Sequence, residues 1–270
     1  MIYAHRAAAI LHDVVASHDG VWLLPANVCD IVPATLRAAG RAYELVDVDP
    51  VTLEPSREQI LSRAPHCAGV VFVRTYGAVY DADAFFAELA REDFRIVDDR
   101  CLCPPDVEGT DLSPHADVTL FSTGYAKYVD LGEGGFAQMM EDRQYSLSGT
   151  GRIASPPPEY LERVLKERDR ADDVKARLNA IYREIIPLEV QMPPELCTWR
   201  FNIRVARAEE LVRAIFDAGL FASRHYAPLE RGFPHAERLH AEVVNLFNDR
   251  YFDEEKATRA AELVRRHVTR

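Results

Sequence analysis

The chain has 270 residues, of which 48% are hydrophobic and 28% are charged, a composition typical of a globular protein with a sizeable core. Its formal net charge of −11 argues against binding to nucleic acid, because no run of lysine and arginine with interleaved aromatic residues offsets it. No apolar run approaches the roughly 20 residues that a membrane span needs, so we expect no membrane partner.

The first 20 residues have an apolar middle that His12 and Asp13 interrupt. This segment lacks a basic leader and a small-residue cleavage site, so it predicts a helix rather than a signal peptide. The five cysteines are scattered at positions 29, 67, 101, 103 and 197, and no second pair has metal-ligand spacing. This pattern indicates free thiols in a reducing cytoplasm and predicts no metal site.

Short apolar segments alternate with helical patterns as far as residue 140. The predicted strands cover 21–27, 41–49, 68–77, 94–100, 116–124 and 134–140, and the predicted helices cover 31–40, 56–64 and 81–93. Repeated strand–helix–strand units form parallel or mostly parallel sheets with helices on both faces. The sequence therefore predicts an α/β fold, with a large domain over residues 1–150.

The pattern changes near residue 141, where a polar segment rich in glycine, serine and proline predicts a loop. A long charged helix over about 159–185 follows, and we assign 151–190 to the linker and this helix. Residues 191–270 form the predicted small C-terminal α+β domain. Its predicted strands cover 198–205, 221–226 and 242–249, and its predicted helices cover 208–219 and 253–268.

The stretch FSTGYAKYVDLGEGG, from Phe121 to Gly135, contains a lysine in an unusual setting. The chain has only four lysines against 28 arginines. Lys166, Lys175 and Lys256 lie in charged stretches that predict solvated helix faces. The neighbours of Lys127 are instead aromatic, small or glycine, so this lysine is a candidate functional residue.

Polar side chains follow two of the predicted strands. Asp98 and Asp99 end one strand, whereas Ser122 ends the next strand and Lys127 follows shortly after it. In open α/β sheets, ligand groups gather at the carboxyl ends of the strands, although an acid and a lysine at these ends could also form a simple salt bridge. The glycines of LGEGG lie where a backbone turns tightly or approaches a ligand. The chain lacks the Rossmann fingerprint, since its first strand–helix turn is PANVCDIVP.

The segments VDVDPVTLEP, RTYG, IVDD, FSTGYAKYVDLGEGG and SRHYAPL occur in a characteristic order and spacing. From about residue 5 to its C-terminus the chain resembles the DegT/DnrJ/EryC1/StrS family of sugar aminotransferases. These are fold-type I enzymes that depend on pyridoxal 5′-phosphate (PLP). The resemblance implies a homodimer that moves an amino group from an amino acid donor to a keto or aldehyde acceptor, such as a sugar or a biosynthetic intermediate.

The resemblance assigns roles to individual residues. Lys127 matches the lysine that forms a Schiff base with PLP and then shuttles a proton, and arginine cannot supply the primary amine that this needs. Asp99 matches the aspartate that keeps the pyridine nitrogen protonated. Strand alternation lets only one of Asp98 and Asp99 reach the ring but does not choose between them. Ser122 matches a serine that binds the cofactor phosphate.

Other positions depart from the family pattern. Where the family has Gly-Thr at the phosphate-binding helix, this chain has His5 and Arg6. Arg6 and the helix N-terminus are candidate phosphate ligands, although Arg6 could equally be a solvated surface residue. Cys29 occupies the position of the aromatic residue that stacks on the PLP ring. Leu102 and Tyr128 replace a glutamine and an asparagine of the family.

Two further residues are candidates for substrate binding. Arg200 resembles an arginine that grips the substrate carboxylate in many fold-type I aminotransferases, but Arg204 has the same strand face and alternation cannot choose between them. His225 and Tyr226 match a family loop near the cofactor. We select His225 as the candidate contact, with a purely structural histidine as the alternative.

Three functional hypotheses follow. The family has a longer N-terminal segment than this sequence shows, so we expect a partner subunit to supply walls of the site. The leading hypothesis is a PLP-dependent aminotransferase. The second is another PLP reaction, such as that of a lyase, decarboxylase or racemase. The third is a cofactor-free homologue that acts as a partner protein, against which the presence of Lys127, Asp99 and Ser122 argues.

Overall fold

The structure is a computed structural model that describes residues 1–140 and 153–269. Most of the loop predicted after residue 141 therefore lies outside the described residues. The described chain contains a large sheet covered by helices and a smaller antiparallel sheet near the C-terminus. No helix among the described residues is long and apolar enough to cross a membrane.

The large sheet has eight strands among the described residues, in the order β3-β2-β4-β5-β6-β7-β1-β8. Five neighbouring strands, from β3 to β6 in that order, are parallel, and β7 and β1 continue the sheet in antiparallel pairings. The predicted mostly parallel sheet is thus confirmed, whereas β1 was not predicted. The strands are β1 Ile2–Ala4, β2 Trp22–Pro25, β3 Tyr43–Val46, β4 Gly69–Val73, β5 Arg95–Asp99, β6 Val118–Ser122, β7 Gly135–Met139 and β8 Ile153–Ala154.

Helices cover both faces of this sheet. They are α1 Ala7–Ala16, α2 Ile31–Ala38, α3 Arg57–Arg63 and α4 Asp83–Leu89. Along β4, Val71 and Val73 belong to the core beneath α1 and α2, while Val70 and Phe72 belong to the opposite core beneath α3 and α4. This two-sided burial explains why the sequence of β4 is apolar without alternation.

The parallel register aligns the ends of the central strands. Val73 of β4 lies beside Asp99 of β5, and Asp99 lies beside Leu120 of β6, two residues before Ser122. The start of α1 reaches the same edge, because Arg6 pairs with Gly134 just before β7. The residues predicted to carry chemistry therefore lie along one edge of the sheet.

The long helix predicted from the charged segment is present as α5, Pro158–Ile185. The prediction that Lys175 lies on its solvated face is wrong, because this side chain is only 4% exposed. The buried face of α5 also carries Tyr160, Val164 and Leu178. Charged residues dominate the sequence around Lys175, so local composition gave no indication that its side chain is buried.

The C-terminal part contains three short strands, β9 Phe201–Arg204, β10 Ala222–Ser223 and β11 Val243–Leu246, in the antiparallel order β10-β11-β9. The helices are α6 Ala208–Asp217, α7 Pro234–Glu242 and α8 Glu254–Val268. The strands are shorter than predicted, and α7 was not predicted, although Pro234 at its first position is a recognised start signal. The domain boundaries at 150 and 190 stay a prediction.

Candidate active site

A cavity of about 570 Å³ lies at the carboxyl ends of the central strands. Its wall includes the start of α1, the ends of β4 to β6 and the turn that follows β6. All five residues that the sequence proposed for cofactor binding line it, namely Arg6, Cys29, Asp99, Ser122 and Lys127. Residues up to 121 positions apart in sequence thereby share one volume large enough for a small-molecule ligand.

The turn that carries Lys127 is fixed on both sides by hydrogen bonds. The N–H of Ala126 donates to the Asp130 carboxylate at 3.1 Å, and the Ala126 carbonyl accepts a hydrogen bond from the Trp199 indole at 2.8 Å. The N–H of Lys127 itself donates to the Gly124 carbonyl at 3.3 Å. The backbone that positions the amine is thus held by its own loop and by the C-terminal part of the chain.

Asp99 is 4% exposed and faces the cavity, where one of its oxygens accepts a hydrogen bond from the Cys101 N–H at 2.9 Å. Burial raises the pKa of this carboxyl, while the Cys101 hydrogen bonds and the charge of Lys127 oppose the rise. No ion pair joins Lys127 to Asp98 or Asp99 among the described residues. The Lys127 amine and the Asp99 carboxylate therefore border the same cavity without forming a salt bridge across it.

Asp98 has a different environment. Arg74 donates two hydrogen bonds to its two oxygens, at 2.7 and 3.0 Å, and Arg100 donates a third at 2.8 Å. Asp98 is fully buried and does not line the cavity. Of the two adjacent carboxylates, only Asp99 is available to a ligand.

The far end of the cavity can accept an anion. Ala7 and Ala8, in the first turn of α1, line it together with Arg6 and Ser122. The first N–H groups of a helix have no intrahelical acceptor and carry partial positive charge, so they attract phosphate. Arg6 is exposed, and its side chain makes no hydrogen bond that caps α1.

The glycines of the LGEGG segment serve close packing around this end. A Cβ on Gly135 would lie 2.5 Å from the backbone nitrogen of Ala7, so any side chain there would push β7 away from the start of α1. Gly134 has a φ of +94°, and a Cβ there would lie 2.6 Å from the Thr123 hydroxyl oxygen. The glycines thus set the position of the helix N-terminus relative to Ser122.

Cys29 lines the cavity at the position where the family has a stacking aromatic residue. The sequence alone did not identify an aromatic residue that could replace it. Tyr226 lines the cavity, while its neighbour His225 does not. Burial raises the pKa of Tyr226, with further contributions from the charges of Cys29 and Asp99, which line the same cavity. The sequence pointed to this two-residue loop, but only the tertiary structure shows which member faces the cavity.

His225 packs behind the cavity. Its ring lies 5.5 Å from the Trp199 ring, and its backbone N–H donates to Asn245 at 2.8 Å. Burial lowers the pKa of His225, and the charges of Arg200 and Lys127 lower it further. A role for His225 in substrate binding stays a prediction.

Arg200 is also set back from the cavity. It is 2% exposed, pairs with Asp249 at 2.9 Å and lies between the rings of Trp199 and Phe247. Arg204, the alternative on the same face, pairs with Glu242 at 2.7 Å. Neither arginine lines the cavity that contains Asp99, so their proposed grip on a substrate carboxylate stays a prediction.

A second cavity of about 490 Å³ borders the same lysine. Lys127 lines both cavities, and the wall of the second also includes residues of α5 and the segment around Asp249 and Tyr251. Among the described residues, no group of three or more histidine, cysteine, aspartate or glutamate side chains could hold a metal ion.

No protein-family model matches the chain, and no curated protein matches its sequence. Solved structures match it closely in fold. A protein from Bacillus cereus ATCC 10987, assigned as a PLP-dependent aminotransferase, covers 97% of this chain and 85% of its own, with a TM-score of 0.80 at 12% sequence identity. The chain has the fold of PLP-dependent aminotransferases.

Two further solved structures match nearly the whole chain. A DegT DnrJ EryC1 StrS aminotransferase from Brucella abortus matches 100% of this chain and 86% of its own, with a TM-score of 0.75 at 16% identity. DesI, solved in the presence of its TDP-sugar product, matches 99% of this chain and 80% of its own, with a TM-score of 0.80 at 21% identity. The predicted fold class is confirmed.

Proposed function

We propose that this protein is a PLP-dependent aminotransferase that moves an amino group from an amino acid donor to a keto or aldehyde acceptor. The observation that carries the proposal is the single cavity lined by Lys127, Asp99, Ser122 and the start of α1. A primary amine, a buried carboxylate and an anion-binding helix end are the three groups that PLP needs at its aldehyde, ring nitrogen and phosphate. The aminotransferase fold supports the same assignment.

The residues present fit the cofactor at each end. Lys127 supplies the amine for a Schiff base, and the fixed backbone around Ala126 sets the position of that amine. Asp99 holds a proton at the ring nitrogen, and its buried environment makes it a stronger base than an exposed aspartate. Ser122, Arg6 and the N–H groups of the first turn of α1 would hold the phosphate.

The ring faces require apolar contacts, and Cys29 and Tyr226 line the cavity near Asp99. We propose that Tyr226 supplies the aromatic surface that is absent at Cys29. When bound, PLP withdraws electrons from the substrate and so stabilises negative charge at its α-carbon. The amine of Lys127 would accept the proton that leaves that carbon, a role for which its place in the cavity wall suits it.

The proposed setting of the enzyme is a homodimer in the cytoplasm that acts on small molecules, with no nucleic acid or membrane partner. The five cysteines are all free thiols, which suits a reducing compartment. The net charge of −11 disfavours nucleic acid. A keto sugar is one candidate acceptor, because DesI, which shares the fold, was solved with a TDP-sugar product.

The test is addition of PLP to the purified protein, followed by borohydride reduction and peptide mass analysis. We expect a coloured complex and a reduced PLP adduct on Lys127, both lost in Lys127→Ala and kept in the control variant Lys166→Ala on α5. Amino-group exchange from glutamate to added keto acids then tests transamination. A mixture that keeps the spectrum of free PLP and gives no adduct would indicate a cofactor-free homologue, and an adduct without exchange would indicate another PLP reaction.

A further inference from the structure

The second cavity continues the candidate active site beyond Lys127. Because Lys127 lines both cavities, a ligand that reacts at its amine has room on the side away from Asp99. The wall of this space includes Ala126, Tyr128, Val174 and Lys175. A substrate larger than its reacting carbon and amino group therefore needs groups to recognise it here.

Lys175 is the most deeply buried charged side chain in this wall. It is 4% exposed, and its ammonium donates to the Trp199 carbonyl at 2.7 Å and to the Asn248 side chain at 3.1 Å. Asn248 is itself fixed by Asn179, to which it donates a hydrogen bond at 2.9 Å. An ammonium group has three N–H donors, so one remains without an acceptor among the described residues.

The acids near Lys175 already have partners. Asp249 pairs with Arg200 at 2.9 Å and accepts the N–H of Tyr251 at 3.0 Å, while Asp172 accepts a hydrogen bond from the Tyr128 hydroxyl. The Tyr128 ring lies 4.8 Å from the Lys175 nitrogen. The other charged groups of the cavity wall, besides Lys127, are Asp130, Glu167, Arg170, Asp173, Arg177 and Arg250.

Burial of the Lys175 amine disfavours its charged form. Burial lowers the pKa of Lys175 to about 7; the charge of Arg200 contributes to the decrease, and Asp249 and Asp172 oppose it. Two neutral acceptors, a carbonyl and an amide oxygen, do not require an ammonium group, since a neutral amide donor would satisfy them without a buried charge. An anion in the cavity would supply the missing counter-charge.

We propose that Lys175 binds an anionic oxygen group of the substrate, a carboxylate or a phosphate ester, in the second cavity while the reacting carbon lies at Lys127. The inference rests on the proposed function, because it assigns this cavity to the part of the substrate that does not react. It defines the substrate class as one with a negative charge remote from the transferred amino group.

The binding test uses the full chain with PLP in excess, so that the anion-accepting end of the first cavity is not open to the probes, and measures the affinity for succinate and for glycerol 3-phosphate separately by calorimetry. We expect one of these probes to bind, with affinity at least roughly tenfold weaker in Lys175→Met, because the hydrogen bond to a charged group is lost. The matched control is Lys166→Met, an exposed lysine on the same helix, which should bind as the wild type does. The probe that binds identifies the anion as carboxylate or phosphate.

A second measurement on the wild-type protein needs no variant. Since Lys175 is mostly neutral at about pH 8, anion binding there should take up most of one proton, and at about pH 6 it should take up little. Titration in buffers of different ionisation enthalpy measures this uptake. Lys175→Arg, which keeps the charge, should bind the anion without the uptake.

The proposal is overturned if neither probe binds the wild type or if Lys175→Met binds as tightly as the wild type. Binding without proton uptake at about pH 8 would show only that the pKa of Lys175 is higher than about 7. These results are independent of the borohydride adduct on Lys127. An adduct on Lys127 without anion binding would leave the aminotransferase proposal intact and remove only the role of Lys175.

Discussion

Asp98 and Asp99 are adjacent in sequence, and their carboxylates lie on opposite faces of β5 in different environments. Asp98 receives three hydrogen bonds from Arg74 and Arg100, while Asp99 faces the cavity that Lys127 lines. One carboxylate therefore neutralises buried arginine and the other is available to a ligand. Substitution of each residue should separate these roles.

We expect Asp98→Asn to destabilise the fold by about 3–5 kcal/mol, because it leaves the buried Arg74 guanidinium without its counter-charge. Urea unfolding followed by circular dichroism measures the loss. The control is Asp111→Asn, since Asp111 is an exposed partner of Arg100 at 3.5 Å, and it should cost less than about 0.5 kcal/mol. Equal effects of the two substitutions would contradict the assignment.

Asp99→Asn should reduce activity without reducing the stability of the fold. Burial raises the pKa of Asp99, so the cofactor-free folded state binds this proton more tightly than the unfolded chain does, and stability falls as pH rises through the raised pKa. The asparagine variant lacks this loss and should be at least as stable as the wild type at neutral pH. Transamination should fall roughly 10²-fold or more, because the ring nitrogen loses its partner. Strong destabilisation of the cofactor-free variant would count against a ligand-facing Asp99.

Tyr226 should contribute to cofactor affinity through its ring. We expect Tyr226→Ala to weaken PLP binding by roughly three- to tenfold, whereas Tyr226→Phe keeps most of the affinity, because the contact with the cofactor ring is aromatic. Absorbance titration with PLP measures both. If His225→Ala weakened PLP binding and Tyr226→Ala did not, the assignment of the cofactor contact to Tyr226 rather than His225 would be wrong.

Burial of Lys175 should produce a pH dependence of stability above neutrality. Its folded pKa of about 7 lies below the ordinary lysine value, so between these two values the unfolded chain binds more protons and stability rises with pH. Relative to Lys175→Met, the wild type should gain up to about 1.4 kcal/mol per pH unit between about pH 7.5 and 9.5. Urea unfolding at several pH values measures this slope. If the free energies of unfolding of the two proteins changed in parallel with pH, the pKa of Lys175 would not be lowered in the folded state.

Local sequence located several residues of the cavity wall. It did not predict burial that depends on a second part of the chain packing against a residue. The lysine after β6 and the acids at the end of β5 could be located because parallel strands align their carboxyl ends. Nothing near Lys175 in the sequence shows that Trp199 and Asn248 cover it. The helix α7 was missed because its segment, PHAERLHAE, has few apolar residues to mark a buried face.

The sequence by itself determined the α/β class, the order of most elements and the candidates Lys127, Ser122 and the pair Asp98 and Asp99, because hydrophobic periodicity and strand ends locate them; the family resemblance then assigned their roles. Only the tertiary structure decided that Asp99 rather than Asp98 faces the cavity, and that Tyr226 rather than His225 does. These choices depend on which partner occupies each face of a strand or loop. Such partners, like Arg74 for Asp98, come from distant positions in the chain and are brought together only by folding.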